Sequence, residues 1–152
     1  MQKREFMSIK IRLKYAIKFD LEFLSAGIKL RLIRLISMVQ LLAKDGWTRP
    51  YDVIIDTGNP VSIIPQFIWE HAEIKWLYTK DVHLYGIGNG NITGKLGEVQ
   101  FVFSDDEHVS EPIKAKAFLA NDNSIPFLIG FEDVLTIFSL QSDFATDSAF
   151  LS

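Results

Sequence analysis

Residues 9–23 alternate between apolar and mostly polar side chains without a break. Every second position from Ile9 to Phe23 is apolar, and lysine, arginine or acidic residues hold most of the positions between them. A strand sends successive side chains to opposite faces, whereas a helix repeats about every 3.6 residues. The pattern therefore predicts one long strand, or a bent one, that buries one face and ends at Ser25-Ala26-Gly27.

The rest of the chain continues the β pattern. Residues 28–43 are ambiguous, because apolar residues alternate at the start while polar residues also fall at helical spacing. A strand is favoured, since Lys44-Asp45-Gly46 then supplies a hairpin turn. Further predicted elements are strands at 47–55, on both sides of a glycine-rich turn at 86–94, at 113–119 and before Gly130, then a short helix from about Phe131 to Phe138 and a last strand. This order predicts a mostly β, barrel-like domain with one short helix near the C-terminus.

Composition excludes several classes of protein. The 152 residues are enough for a domain with its own core, and 48% hydrophobic with 23% charged residues is typical of a globular chain. The absence of cysteine excludes disulfides, thiolate metal sites and cysteine nucleophiles. Three scattered histidines show no ligand spacing, so we expect no metal and no cofactor. No secretory signal is visible and the longest apolar tract, residues 35–43, is too short for a membrane span, so we expect a cytoplasmic protein.

Charge is distributed unevenly along the chain. Residues 1–50 hold eleven basic and four acidic residues, a net charge of +7, while residues 51–152 hold five and fifteen, a net charge of −10. A basic segment can indicate a nucleic-acid or membrane-surface partner. The alternation with apolar residues favours the solvated face of strands that attract the acidic remainder of the same domain. We therefore expect no nucleic-acid partner.

Asp56-Thr57-Gly58 is the motif that points to chemistry. Residues 51–55 are apolar and β-branched enough to predict a strand, which delivers the Asp56 carboxylate to a tight turn. Gly58 allows the backbone of that turn to approach a ligand closely.

Three segments in order resemble the retropepsin-like aspartic proteases, the retroviral type with one lobe per chain, in their bacterial form. The first is Asp56-Thr57-Gly58 followed by Ser62, the second is a glycine-rich hairpin around residues 84–99, and the third is Phe127-Leu128-Ile129-Gly130. The resemblance implies a flap that includes Gly86, Ile87, Gly88, Asn89 and Gly90, and it places Ile129 and Gly130 behind the catalytic loop. It covers about residues 47–145. The predicted division is an unmatched, strand-like extension at 1–27 and a protease domain at 28–152.

The resemblance implies an aspartic endopeptidase that acts as a homodimer on a peptide or protein substrate. The reaction needs two carboxylates around one water, and the pair shares a proton. This chain offers one, Asp56, since Asp147-Ser148-Ala149 lacks the glycine and the preceding apolar strand. A two-fold dimer supplies the second Asp56. The resemblance also gives Thr57, Gly58 and Ser62 the role of supporting the active-site loop and the dimer.

Two residues depart from the family pattern, and other functions stay open. Asn59 replaces a small residue beside the substrate groove, and Phe131 replaces an arginine that braces the family's dimer. A catalytically weak or inactive dimer that binds proteins is therefore an alternative. A second alternative, a fragment of an actin-like kinase with a phosphate-binding Asp-x-Gly turn, would need a further phosphate loop. Apolar residues such as Ile64, Ile87, Ile92 and Leu135 are expected to form specificity pockets.

Overall fold

The computed structural model describes residues 9–87 and 90–152, and strands dominate it. The strands are β1 (Ile11–Phe19), β2 (Arg31–Ala43), β3 (Gly46–Trp47), β4 (Tyr51–Ile55), β5 (Ser62–Ile64), β6 (Lys75–Ile87), β7 (Gly90–Ser104), β8 (Ile113–Ala120), β9 (Leu128–Ile129), β10 (Leu140–Asp143) and β11 (Ser148–Leu151). The helices are α1 (Leu21–Ser25) and α2 (Gln66–Trp69), and a wide helical turn spans Phe131–Leu135. The predicted mostly β fold is confirmed, as is the strand interpretation of residues 31–43.

Six strands close into a barrel. They follow one another in the order β2, β4, β9, β5, β8 and β7, and β7 pairs again with β2. Val39 in β2 marks the closure, because it lies opposite Tyr51 of β4 on one side and Phe103 of β7 on the other. Each of the six strands has a paired neighbour on both sides, so its backbone N–H and C=O groups can form hydrogen bonds within the barrel.

β1 and β7 pair with the same edge of β2, one after the other along its length. It pairs with the first half of β2, from Phe19 opposite Arg31 to Lys14 opposite Ile36, and β7 takes over that edge at Met38. The distal part of this hairpin, residues 16–34 with α1 at its tip, lies beyond the part of β2 that pairs with β4 and β7, and we call it the arm. The helix in the arm buries none of its residues.

The C-terminal strands extend the sheet on the outer side of β1. Ile11 lies opposite Leu151, so β11 pairs with the first residues of β1, and β10 pairs with β11 and forms the edge. Ile11 and Leu13 are buried in the main core together with Ala149 and Leu151. Part of the segment expected to be an unmatched extension therefore contributes to that core.

The core lies inside the barrel and under its outer strands. Its largest fully buried side chains include Phe101, Phe103, Leu41 and Ile129. Each such residue contributes about 1.5–3 kcal/mol of transfer free energy. Phe101 and Phe103 pack edge to face with ring centroids 5.4 Å apart, the geometry that aromatic pairs prefer.

Three predicted elements differ from the structure. The strand expected over residues 47–55 is divided into β3 and β4, with residues 48–50 outside both. The strand expected over residues 9–23 ends at Phe19, because the Asp20 carboxylate accepts a hydrogen bond from the Phe23 N–H at 3.0 Å and caps α1 instead. The helix expected from Phe131 to Phe138 is a single wide turn. Within it Glu132 is extended and Asp133 is left-handed, with φ of 60°.

The glycine-rich hairpin is confirmed as the β6–β7 hairpin, where Ile87 lies opposite Gly90. Gly86 and Ile87 end β6 and Gly90 begins β7. Gly88 and Asn89, which were assigned to the flap with them, lie outside the described residues.

Candidate active site

Asp56 is the first residue after β4, and its backbone is fixed by β9. The parallel pairing sets Ile54 beside Leu128 and Ile55 beside Ile129. The ladder continues into the turn, because the Asp56 N–H donates to the Ile129 carbonyl oxygen at 2.9 Å. A buried strand pair therefore ends at the carboxylate and holds its backbone in place.

The turn orients the Asp56 carboxylate. The Gly58 N–H donates to Asp56 Oδ1 at 2.9 Å, and the Asn59 N–H donates to the Asp56 carbonyl oxygen at 3.2 Å. A Cβ on Gly58 would lie 3.3 Å from Asp56 Oδ1, so a side chain there would press on the carboxylate. Asp56 is half-buried, while Thr57 and Gly58 are exposed.

Gly130 packs directly against the back of this loop. A Cβ on it would lie 2.6 Å from the carbonyl oxygens of both Asn59 and Val61, so only glycine fits. The Gly130 N–H donates to the buried Ser62 Oγ at 3.0 Å, a contact between residues 68 apart in the sequence. The structure thus brings together four residues that sequence reasoning selected, Asp56, Ser62, Ile129 and Gly130.

The turn that follows Gly130 continues the contact with the loop. The Phe131 N–H donates to the Asn59 carbonyl oxygen and the Glu132 N–H to the Pro60 carbonyl oxygen, both at 3.0 Å. Asn59, one of the two departures from the family pattern, is 6% exposed. Phe131, the other, is partly exposed at the surface. The loop is therefore supported by backbone contacts that do not depend on an arginine at position 131.

An ion pair braces that turn. The Asp133 carboxylate accepts a hydrogen bond from the Lys116 backbone N–H at 2.9 Å and lies 3.0 Å from Lys116 Nζ. These two interactions, the backbone one first, lower the pKa of Asp133 below its ordinary value. The carboxylates of Asp133 and then Glu132 raise the pKa of Lys116 in turn. The left-handed backbone of Asp133 is what directs its side chain to β8, so this contact replaces the expected helix.

A groove of about 720 Å³ opens at Asp56 and Thr57. Its apolar walls come from β2, β4, the loop before β9 with the start of β9, and the C-terminal hairpin. The apolar lining residues are Ile33 and Leu35; Ile54 and Ile55; Ile125, Pro126 and Leu128; Leu140 and Phe144. The groove is thus lined largely by apolar side chains and has a carboxylate at one wall.

The wall residues are not those expected to form specificity pockets. Ile64 and Leu135 are buried in the main core, and Ile92 is buried in a second, smaller cluster. Alternation cannot distinguish a core position from a groove position, since both are apolar and both face inward. The side chain of Ile87 is not described.

Sequence reasoning also missed the C-terminal hairpin as a wall of the groove. Phe144 lies in its turn and packs edge to face against Tyr15, with ring centroids 5.6 Å apart. The Tyr15 hydroxyl hydrogen-bonds Ser142 Oγ and donates to the Ser148 carbonyl oxygen. The alternation placed Tyr15 on the apolar face of β1, but no local signal gives the pairing of β1 with a strand so distant in the sequence.

Two further findings concern metals and membranes. Among residues 9–87 and 90–152, no three histidine, aspartate or glutamate side chains lie together as ligands for a metal ion. In that same part of the chain, every helix is too short to cross a bilayer.

Comparison with known proteins gives a distant likeness of fold. No protein-family model and no curated protein matches the sequence. Among solved structures, the fold is similar to the EIAV protease complexed with the inhibitor HBY-793. The TM-score is 0.41 and the identity 18%, over 64% of this chain and 81% of that one.

Proposed function

We propose that the protein is a retropepsin-like aspartic endopeptidase of the bacterial type, which hydrolyses peptide bonds with a water activated by two Asp56 carboxylates at a homodimer interface. The observation that carries the proposal is the bracing of the Asp56 loop by Gly130 and Ser62 beside an open groove. That arrangement fixes a carboxylate where it meets a ligand.

The proposed chemistry follows from placing two carboxylates around one water. Two such groups in close contact cannot both be ionised, so they hold one proton between them. The ionised member removes a proton from the water as it attacks the scissile carbonyl carbon. The protonated member donates to the carbonyl oxygen and then to the leaving amine. The tight loop supplies the fixed geometry that this transfer needs.

In this proposal the second carboxylate comes from another chain. Each chain carries one Asp-Thr-Gly turn, and a two-fold axis beside Asp56 brings two of them together. Thr57 is exposed next to Asp56, where its hydroxyl is free to meet the partner's loop. In this proposal the substrate is an extended peptide with apolar side chains, and the β6–β7 hairpin is the flap that covers it.

Replacing Asp56 tests the proposal. Asp56→Asn preserves shape and the hydrogen bond from Gly58 but removes the base, so cleavage of a denatured protein or peptide library should fall by at least about a hundredfold. The matched control is Asp52→Asn, which changes an exposed aspartate on β4, the strand that leads to Asp56, and should cleave like the wild type. Cleaved peptides are counted by mass spectrometry. Undiminished cleavage by pure D56N protein contradicts the proposal.

The departures at Asn59 and Phe131 favour one alternative, a dimer that binds peptides without cleaving them. Such a dimer would retain labelled peptides in a binding measurement and release no products. In that case D56N would bind peptides as tightly as the wild type does. Cleavage by the wild type therefore distinguishes the protease from the peptide-binding dimer.

A further inference from the structure

The arm presents large apolar side chains that the described part of the chain leaves exposed. Nine of them are 38–79% exposed: Ile17, Phe19, Leu21, Phe23, Leu24, Ile28, Leu30, Leu32 and Ile33. They are contiguous in the hairpin, and α1 at its tip has no buried residue. Soluble monomers rarely leave an apolar surface of this extent open to water. The arm therefore needs a partner.

We propose that the arm is a dimerisation element that packs against a second copy of this chain. The inference rests on the proposed function, since it specifies how two chains are held together so that their Asp56 residues meet. It assigns a role to residues 16–34, most of which fall in the segment that the family resemblance leaves unmatched.

Continuity with the Asp56 groove identifies the partner. Ile33 and Arg34 belong to the arm and also line that groove. Ile17 lies directly opposite Ile33, and paired residues share a face of the sheet, so the apolar stripe runs from the groove along the arm. A second chain that covers the groove to deliver its own aspartate thus meets the arm along the same surface.

Charge favours the same partner. The arm carries four basic residues and two acidic ones, a net charge of +2. The four bases, Lys18, Lys29, Arg31 and Arg34, form no ion pair with any residue that the structure describes. Residues 51–152 of the partner carry a net charge of −10. A second copy therefore offers both an apolar groove and an acidic surface to a basic, apolar arm, and complementary charge speeds association and sets orientation.

The size of the surface agrees with a stable dimer. A standard interface uses roughly 20–30 residues on each side. The arm spans residues 16–34, and the groove walls of β2, the loop before β9 and the C-terminal hairpin add to it. In a two-fold dimer each arm contacts the partner's groove, so the arm–groove contact occurs twice in the interface.

Sedimentation velocity over a range of protein concentrations tests the inference. The test variant is Leu21→Gln with Phe23→Gln, which changes no charge and no buried residue. The wild type should form a dimer, and the variant should raise the dimer dissociation constant by about a hundredfold, since two apolar side chains lose their burial. Circular dichroism and the urea midpoint should be unchanged. The control is Val109→Gln, which changes a 53% exposed apolar residue outside the arm and the groove and should dimerise as the wild type does.

Two results overturn the inference: dimerisation of the variant as tight as that of the wild type, or a wild type that stays monomeric at all concentrations. A basic, apolar arm also suits a membrane, so vesicles containing phosphatidylserine are included. A monomeric wild type that sediments with them, and loses that binding in the variant, assigns the arm to a lipid surface instead. Failure of the proposed function gives a different pattern: dimerisation that depends on the arm, with no peptide cleavage.

Discussion

Gly130 offers a quantitative test of how the Asp56 loop is held. The residue has φ of −108°, a value open to any amino acid, so Gly130→Ala meets no backbone restriction and its cost is steric. The new Cβ would lie 2.6 Å from the carbonyl oxygens of Asn59 and Val61, and 2.7 Å from the Val61 carbonyl carbon. Real contacts of this kind stay beyond 3.0 Å, so the loop must retreat by at least 0.4 Å.

The retreat has a predictable free energy. Overpacking in a close-packed region costs about 1–3 kcal/mol. The displacement also stretches the hydrogen bonds from Phe131 and Glu132 to the loop, each worth about 1 kcal/mol net. We therefore expect Gly130→Ala to lower the free energy of unfolding by about 2–4 kcal/mol, and to lower peptide cleavage because Asp56 moves with the loop.

Gly97→Ala is the matched control. Its Cβ would lie equally close, 2.6 Å, to a neighbour, but that neighbour is Ile74 Cγ2, with Leu119 Cδ1 at 2.9 Å. Both neighbours are side-chain methyl groups rather than backbone atoms, and a rotation about χ1 of half-buried Ile74 and about χ2 of Leu119 moves them away at a cost of about 0.5–1.5 kcal/mol. The gain from restricting the unfolded chain offsets part of this. We expect a loss of about 1 kcal/mol or less.

Urea unfolding followed by tryptophan fluorescence measures both variants. With a slope of about 2 kcal/mol per molar urea, Gly130→Ala should shift the midpoint by about 1–2 M and Gly97→Ala by at most about 0.5 M. Equal midpoints for the two variants would refute the steric account of the loop. So would a Gly130→Ala protein that matches the wild type.

Two further substitutions probe the support of the site. Ser62→Ala leaves the buried Gly130 N–H without an acceptor and should cost about 1–3 kcal/mol by urea unfolding. Its control is Ser37→Ala, because Ser37 Oγ is equally buried and has no hydrogen-bond partner among the described residues, so its removal should be neutral or stabilising. Equal losses for the two serines would contradict the assignment. Asp133→Asn removes the charge that meets Lys116 but keeps a side chain that tolerates φ of 60°. Because the pKa of Asp133 is lowered in the folded state, its charge contributes stability above the ordinary value of 3.8, and that contribution is lost as pH falls through the lowered pKa. The variant should therefore be less stable than the wild type at pH 7, by about 1 kcal/mol for this partly exposed pair, and the difference should shrink below pH 3.8. A difference that is the same at pH 7 and pH 3 would show that the charge is not responsible.

The features that sequence predicted best are those encoded within a few residues. An apolar run, a carboxylate and a glycine follow one another at residues 53–58. This short pattern predicts both the strand that leads to Asp56 and the turn at Gly58. The position of Gly130 behind that turn was inferred by resemblance, and the contact with Ser62 gives it a physical basis. Each of these depends on side-chain size and backbone freedom at a single site.

The features that sequence missed depend on distant partners or on competition between local structures. Tyr15 meets Phe144 only through a strand pairing that no local pattern encodes. The two-residue alternation of apolar side chains continues through Leu21 and Phe23. The strand nevertheless ends before them, because Asp20 caps α1. The helical pattern after Gly130 was overridden by the contact of Asp133 with Lys116. In each case a tertiary or capping interaction outweighed intrinsic propensity.

The closed barrel also determines how the chain reaches its native state. The sheet is complete only when residues far apart in the sequence have paired: Leu41 with Phe101, Ile54 with Leu128, and Ile11 with Leu151. Such pairings give a high contact order, because the paired residues are far apart in the sequence. Closing each long loop costs conformational entropy before the new contacts compensate for it. Folding should therefore take milliseconds to seconds, with the local β6–β7 hairpin forming early and β1 finding its place last. Until then the apolar face of β1 is open to other chains, so high concentrations of newly made protein favour aggregation over closure.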